Sequence, residues 1–142
     1  VAGRQEAPDG AHVALEGVET LGHLSHAELC KWYARAGIYA LPARYEPFGL
    51  TPLEAGLSGC ALVLGDIDSL REVWGEAALF VDPESTGELT EAIETLIDDG
   101  ALRREMSRRA SRRAREYWAD RMGERYLRLY RQLDTSSTPD GS

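Results

Sequence analysis

The stretch ALVLG, Ala61 to Gly65, holds five residues in a row without a polar side chain, and it constrains the fold more than any other part of the chain. A strand with one face in water alternates polar and apolar residues, so an unbroken short run predicts a strand covered on both faces. Such coverage belongs to parallel sheets flanked by helices. Two further strand-type runs stand to either side, IYALP (Ile38 to Pro42) and AALFV (Ala77 to Val81). Helical signals separate them. SHAE reads as a capping box at Ser25, followed by Leu29, Trp32, Tyr33 and Ala36 at helical spacing up to Gly37. SLRE (Ser69 to Glu72) reads as a second capping box. DPESTGE supplies a turn and an N-cap, after which Leu89, Ile93, Leu96 and Ile97 mark an amphipathic helix to Gly100. Strand and helix thus alternate three times, which predicts an α/β domain with helices on both faces of a parallel sheet.

The flanks carry less pattern. From Val1 to Leu21, VAG reads as a strand end, APDG as a turn and VETLG as a short strand stopped by Gly22. After Ala101 the periodicity predicts a helical segment to about Leu133, broken near Trp118 to Gly123, with 134–142 as a disordered tail. The 142 residues suit one domain, spanning 1–133. No apolar run approaches the ~20 residues of a membrane helix, so no transmembrane segment is expected. The chain opens at Val1 without a secretory signal and reads as a fragment. Cys30 and Cys60 lack metal-ligand spacing and read as buried free thiols of a reducing compartment, which points to the cytoplasm.

Charge is uneven. Between Arg103 and Arg131 eleven basic residues face four acids, a net +7, while the rest of the chain carries five against twenty, or −15. The run RREMSRRASRRARE has the electrostatic footprint of a phosphate binder. Its arginines nevertheless fall on solvated faces at helical spacing, with Met106, Ala110, Ala114 and Tyr117 left for packing, and the acidic remainder would repel a nucleic acid. The helix is read as solvated, with a docking role against another domain as an option. Trp118, Tyr126, Leu129, Tyr130 and Leu133 are read as packing residues.

The stretch RYEPFGLTPLEAG, Arg44 to Gly56, places two glutamates eight positions apart directly after a strand. In open parallel sheets ligands gather at the carboxyl ends of strands. TPLE reads as an N-cap at Thr51, Pro52 at the first helical position and Glu54 at the third, a capping box. The helix start and the Phe48-Gly49-Leu50 loop would then form an anion site suited to phosphate. Carboxylates beside a phosphate must serve other groups, and sugar hydroxyls are natural donors to them. A nucleoside diphosphate sugar would use every feature, one glutamate per sugar ring. A blander reading stands beside it: Glu54 is explained by capping alone, and Glu46 by solvation.

YEPFGLTPLEAGLSG resembles the E-x7-E region of the family 4 (group 1) nucleotide-sugar glycosyltransferases, which have the two-domain GT-B fold. The likeness extends from about Leu21 to Leu133, through LGHLSHAELCKWYARA, IYALPARYEPFGL, GCALVLGDIDSLREVWGEAALFVDP and RMGERYLRLYRQL. It implies the C-terminal, donor-binding domain, Rossmann-like and truncated at its N-terminal edge. It further implies Glu46 as the catalytic-site residue contacting the transferred sugar, Phe48, Gly49, Leu50 and Thr51 along the diphosphate, and Glu54 on the ribose. The loop Gly22, His23 and Leu24 is placed near the nucleobase. Such enzymes are generally retaining, hexosyl-transferring and independent of metal or other cofactors.

Three departures qualify the resemblance. Nothing matches the Arg and Lys that neutralise the diphosphate in the family, and the N-terminal domain with the acceptor site is missing. GDIDS (Gly65 to Ser69) stands where many relatives have a glycine-rich turn. The chain alone is therefore expected to bind a nucleotide weakly and to transfer nothing. Asp66 and Asp68 lack a third ligand, and His12, His23 and His26 share no metal-binding spacing, so no metal is expected. Two alternatives remain: a non-catalytic nucleotide-sugar module or partner subunit, separable by an adjacent chain encoding the other half, and an Arg-rich nucleic-acid binder, separable by salt-dependent DNA affinity.

Overall fold

The computed structural model describes residues 1–2, 16–47 and 49–135. Three parallel strands, β1 (Ile38–Leu41), β2 (Ala61–Gly65) and β3 (Leu79–Val81), form a sheet in the order β1-β2-β3. Ile38 pairs with Ala61 and Leu41 with Leu64, while Val63 to Gly65 pair with Leu79 to Val81. Helices α1 (His26–Arg35), α2 (Leu50–Leu57), α3 (Asp68–Trp74), α4 (Thr86–Asp98) and α5 (Gly100–Thr135) complete the order, with one 3-10 turn at Gly75–Ala77.

The apolar run 61–65 is the central strand, and every residue in it is buried. Its side chains alternate between two cores. Leu62 and Leu64 join Tyr33 of α1, Leu53 and Ala55 of α2, Leu70 and Trp74 of α3, and Ala110 and Ala114 of α5. Ala61 and Val63 face the other way, onto Val81, Leu96 of α4 and Met106 of α5. Helices therefore cover both faces of the sheet, as the α/β pattern predicts. Cys60, fully buried at the entry to β2, donates from Sγ to the carbonyls of Tyr33 and Ala36 at 3.4 Å each. Cys30 is only half-buried, contrary to the expectation for both thiols.

The capping box at Ser25 is present in full: Ser25 Oγ accepts from Glu28 N–H and the Glu28 carboxylate accepts from Ser25 N–H at 2.8 Å. These bonds hold the Glu28 carboxyl below its ordinary range. The box expected at Ser69 is absent. Helix α3 starts at Asp68 behind Ile67, because the Ser69 hydroxyl donates to the Glu46 carbonyl at 3.2 Å instead of capping its own helix.

The C-terminal segment also differs from expectation. Helix α5 runs unbroken through Trp118 to Gly123, since one glycine costs only about 1 kcal/mol in a helix and no proline stops it. It also takes in residues 134 and 135 of the expected tail; 136–142 lie outside the described residues. Met106, Ala110 and Ala114 are buried as expected, whereas Trp118 (49% exposed) and Leu129 (54%) do not pack, and neither does Ile97 of α4. Near the start, VETLG forms no strand; Gly22 makes one parallel bridge to Ala2. The expected APDG turn and His12 lie outside the described residues.

Candidate functional site

Three loops leave the carboxyl ends of the strands, and the longest, after β1, carries the paired glutamates. Its path is fixed by close contact with β2. A Cβ built on Gly65 would stand 2.3 Å from the carbonyl oxygen of Ala43, so only glycine lets the loop fold back over the strand end. Further ties anchor it. Arg44 forms an ion pair with Glu84 in the loop after β3, with Nη2 donating to Oε2 at 2.6 Å. In the loop after β2, Asp66 accepts a bidentate pair of hydrogen bonds from Arg71, whose guanidinium lies 4.6 Å from the centre of the Phe80 ring. Those bonds hold the Asp66 carboxyl below its ordinary range. Its partner is thus an arginine, and among the described residues no group of three His, Cys, Asp or Glu side chains is arranged to hold a metal ion.

The two glutamates exchange the roles their spacing suggests. Helix α2 begins at Leu50, behind Gly49, which takes the left-handed conformation at φ 59°. Thr51 and Pro52 therefore lie inside the helix, and the capping box expected at Thr51 does not form. The Thr51 hydroxyl has another partner, accepting from the Tyr39 hydroxyl of β1 at 2.7 Å. Burial raises the Tyr39 phenol above its ordinary value and keeps it a neutral donor. Glu54 stands at the fifth helical position and caps nothing. Glu46, three residues before Gly49, accepts the Gly49 N–H on Oε1 at 2.9 Å and so shapes the helix entrance.

Around Glu54 the neighbours come from α1. His26 Nδ1 lies 3.5 Å from Glu54 Oε1, and His26 Nε2 lies 3.6 Å from Cys30 Sγ. Sequence periodicity gives no hint of this contact, because it joins the first residue of one helix to the middle of another. Tyr39, Arg44 and Arg71 carry no sequence signal as site residues either, since each finds its partner only through the fold.

Below the loop opens a largely apolar cleft of about 740 Å³ along β1 and α1. His23 and Leu24 line it together with Thr51 and Tyr39, so two regions far apart in sequence meet at one cavity. Thr51 brings the first turn of α2 to the cleft, whereas Gly49, Glu46 and Glu54 are not among its lining residues. Gly22 turns the chain toward this cleft at φ 63°. Phe48, the remaining candidate on the loop, lies outside the described residues.

Comparison with known proteins bears on the family and the fold. The sequence profile described as "Glycosyl transferases group 1" matches residues 10–114. A glycogen synthase of Mycobacterium tuberculosis is 36% identical over 104 residues, covering 72% of this chain and 25% of that protein. An N,N'-diacetylbacillosaminyl-diphospho-undecaprenol alpha-1,3-N-acetylgalactosaminyltransferase of Campylobacter jejuni is 28% identical over 133 residues, covering 92% and 35%. Among solved structures, sucrose-phosphate synthase from Thermosynechococcus elongatus superimposes with a TM-score of 0.69 at 30% identity, over 84% of this chain and 31% of its own. The chain thus spans about a quarter to a third of the length of these relatives. With the α/β sheet, the loop after β1 and the family profile in agreement, the chain belongs to the group 1 glycosyltransferases of the GT-B fold.

Proposed function

We propose that this chain is the donor-binding domain of a retaining glycosyltransferase that uses a nucleoside diphosphate sugar, and that the acceptor site lies on polypeptide outside this sequence. The observation that carries the reading is the position of Glu54, a carboxylate of α2 with no capping duty to explain it, near enough to Tyr39 of the cleft to act on its phenol. Its lone pairs suit the two hydroxyls of a ribose. The amides of Leu50 and Thr51, in the first turn of α2, favour the diphosphate, and Pro52 removes a donor that the helix start would leave unpaired. Glu46, oriented by the Gly49 N–H, takes hydroxyls of the transferred sugar. By the family resemblance Phe48 is assigned to the diphosphate as well, and Gly22, His23 and Leu24 to the base end of the cleft.

Transfer of a glycosyl group needs preorganised donors around the leaving diphosphate. Arg44 of the loop after β1 and Arg71 of α3 are committed to Glu84 and Asp66. The chain alone therefore binds a donor weakly and transfers no sugar, and a cytoplasmic setting supplies its substrate. Metal plays no part in this reading. Nucleic acid is no partner in it either: on α5, Glu105 pairs with Arg108 and Arg109, and Glu116 with Arg113, which lowers the phosphate-attracting charge.

The test is calorimetric titration of the 142-residue chain with UDP-glucose, ADP-glucose and GDP-mannose. One donor should bind, and Glu54→Ala should weaken it about ten-fold, as expected of a lost charge-assisted hydrogen bond. The melting temperature should stay within about two degrees of wild type, because Glu54 caps no helix and its partly exposed ion pair with His26 is worth about 0.5 kcal/mol or less. Equal affinity in the variant would remove the ribose assignment.

A further inference from the structure

We propose that His26 is a positioning residue for Glu54, holding its carboxylate in the orientation that receives the ribose hydroxyls; this rests on the reading of Glu54 as a donor ligand. A glutamate side chain released from capping has rotamer freedom, and freezing it on binding costs free energy unless a neighbour has already restricted it. His26 is placed to do so. It is the first residue of α1, directly after the capping box that fixes where that helix begins. Its ring bridges two helices, with Nδ1 3.5 Å from Glu54 Oε1 on α2 and Nε2 3.6 Å from Cys30 Sγ one turn along α1.

The thiol can meet Nε2 as donor or as acceptor, and donation is the case that serves Glu54. A Cys30 S–H directed at Nε2 leaves the neutral ring's proton on Nδ1, so a positive dipole rather than a lone pair meets the carboxylate. The separation from Glu54 is an ion-pair distance rather than a good hydrogen-bond length, so the contact steers the carboxylate without locking it. The titratable groups around the pair are Cys30 and Tyr33 from α1, Glu54 itself from α2, and Tyr39 from β1. Burial first, then Tyr39, Glu54 and Cys30, raise the Tyr33 phenol, so it stays neutral beside the pair.

With the His26 side chain 73% exposed, the effect is modest. Donor affinity of His26→Ala should fall about three-fold, within the range of exposed ion pairs. His26→Asn should restore most of it, because the amide NH₂ lies close to where Nδ1–H stands and can donate to the same oxygen.

The experiment is calorimetry on the full chain with UDP-glucose and ADP-glucose, for wild type, His26→Ala, His26→Asn and Glu54→Ala. Loss in Ala with rescue in Asn supports positioning. If Glu54→Ala weakens binding while His26→Ala keeps the affinity of wild type, or if Asn is no better than Ala, the positioning role is wrong and the donor site stands. If no donor binds, or Glu54→Ala changes nothing, the donor-site reading itself fails and takes this inference with it.

Discussion

Gly65→Ala is expected to cost about 3 kcal/mol or more and to lower the melting temperature by roughly 6 to 12 °C for a domain of this size. The residue ends the central strand, where a Cβ would meet the Ala43 carbonyl oxygen at 2.3 Å and the Ala43 amide nitrogen at 3.0 Å. Both obstacles are backbone, so no side-chain rotation relieves them. The post-β1 loop has to lift, and with it go the Arg44 to Glu84 pair and the Ser69 bond to the Glu46 carbonyl. Gly123→Ala is the control, because nothing lies within 4 Å of its added methyl group and the position is helical, so that change should be neutral or slightly stabilising. Calorimetric melting of the two variants decides the matter. Equal melting temperatures would mean that the loop does not press on β2.

The second large effect is in the core. Leu62 has no exposed surface and belongs to the cluster with α1, α2, α3 and α5. Truncation to alanine should cost about 2 to 5 kcal/mol, the transfer of the lost methyl groups plus the cavity they leave. Leu96 lies under the opposite face of the sheet, equally buried, and its truncation should fall in the same range. Because the sheet separates the two cavities, the double variant should lose close to the sum of the single losses. Urea unfolding measures all three. A cost below about 1 kcal/mol for Leu62→Ala would place that side chain outside a tightly packed interior.

Features set by near neighbours along the chain are legible in the amino-acid sequence. The three strands follow from short apolar runs, and the Ser25 capping box from residues three apart. Features set by a distant partner are not. Thr51 has the right chemistry for an N-cap, but its hydroxyl is taken by Tyr39, and the helix moves its start to Leu50 behind a left-handed glycine. Ser69 is drawn off in the same way by the Glu46 carbonyl. These two displacements exchange the apparent duties of Glu46 and Glu54. Spacing locates the glutamates, while the tertiary hydroxyl contacts decide which of them is structural. A hydroxyl in a capping sequence therefore counts as a cap only where no distant donor or acceptor claims it.

Helix α5 has its buried residues at one end. At 36 residues it is roughly 54 Å long. Met106, Ala110 and Ala114 bind its first half to the sheet, whereas the described side chains from Trp118 onward are exposed. Its two halves should therefore relax on different clocks. The inner turns can open only with the cooperative unfolding of the domain, while the outer turns, secured by their own backbone bonds, should fray and re-form in about a microsecond, as isolated helical peptides do.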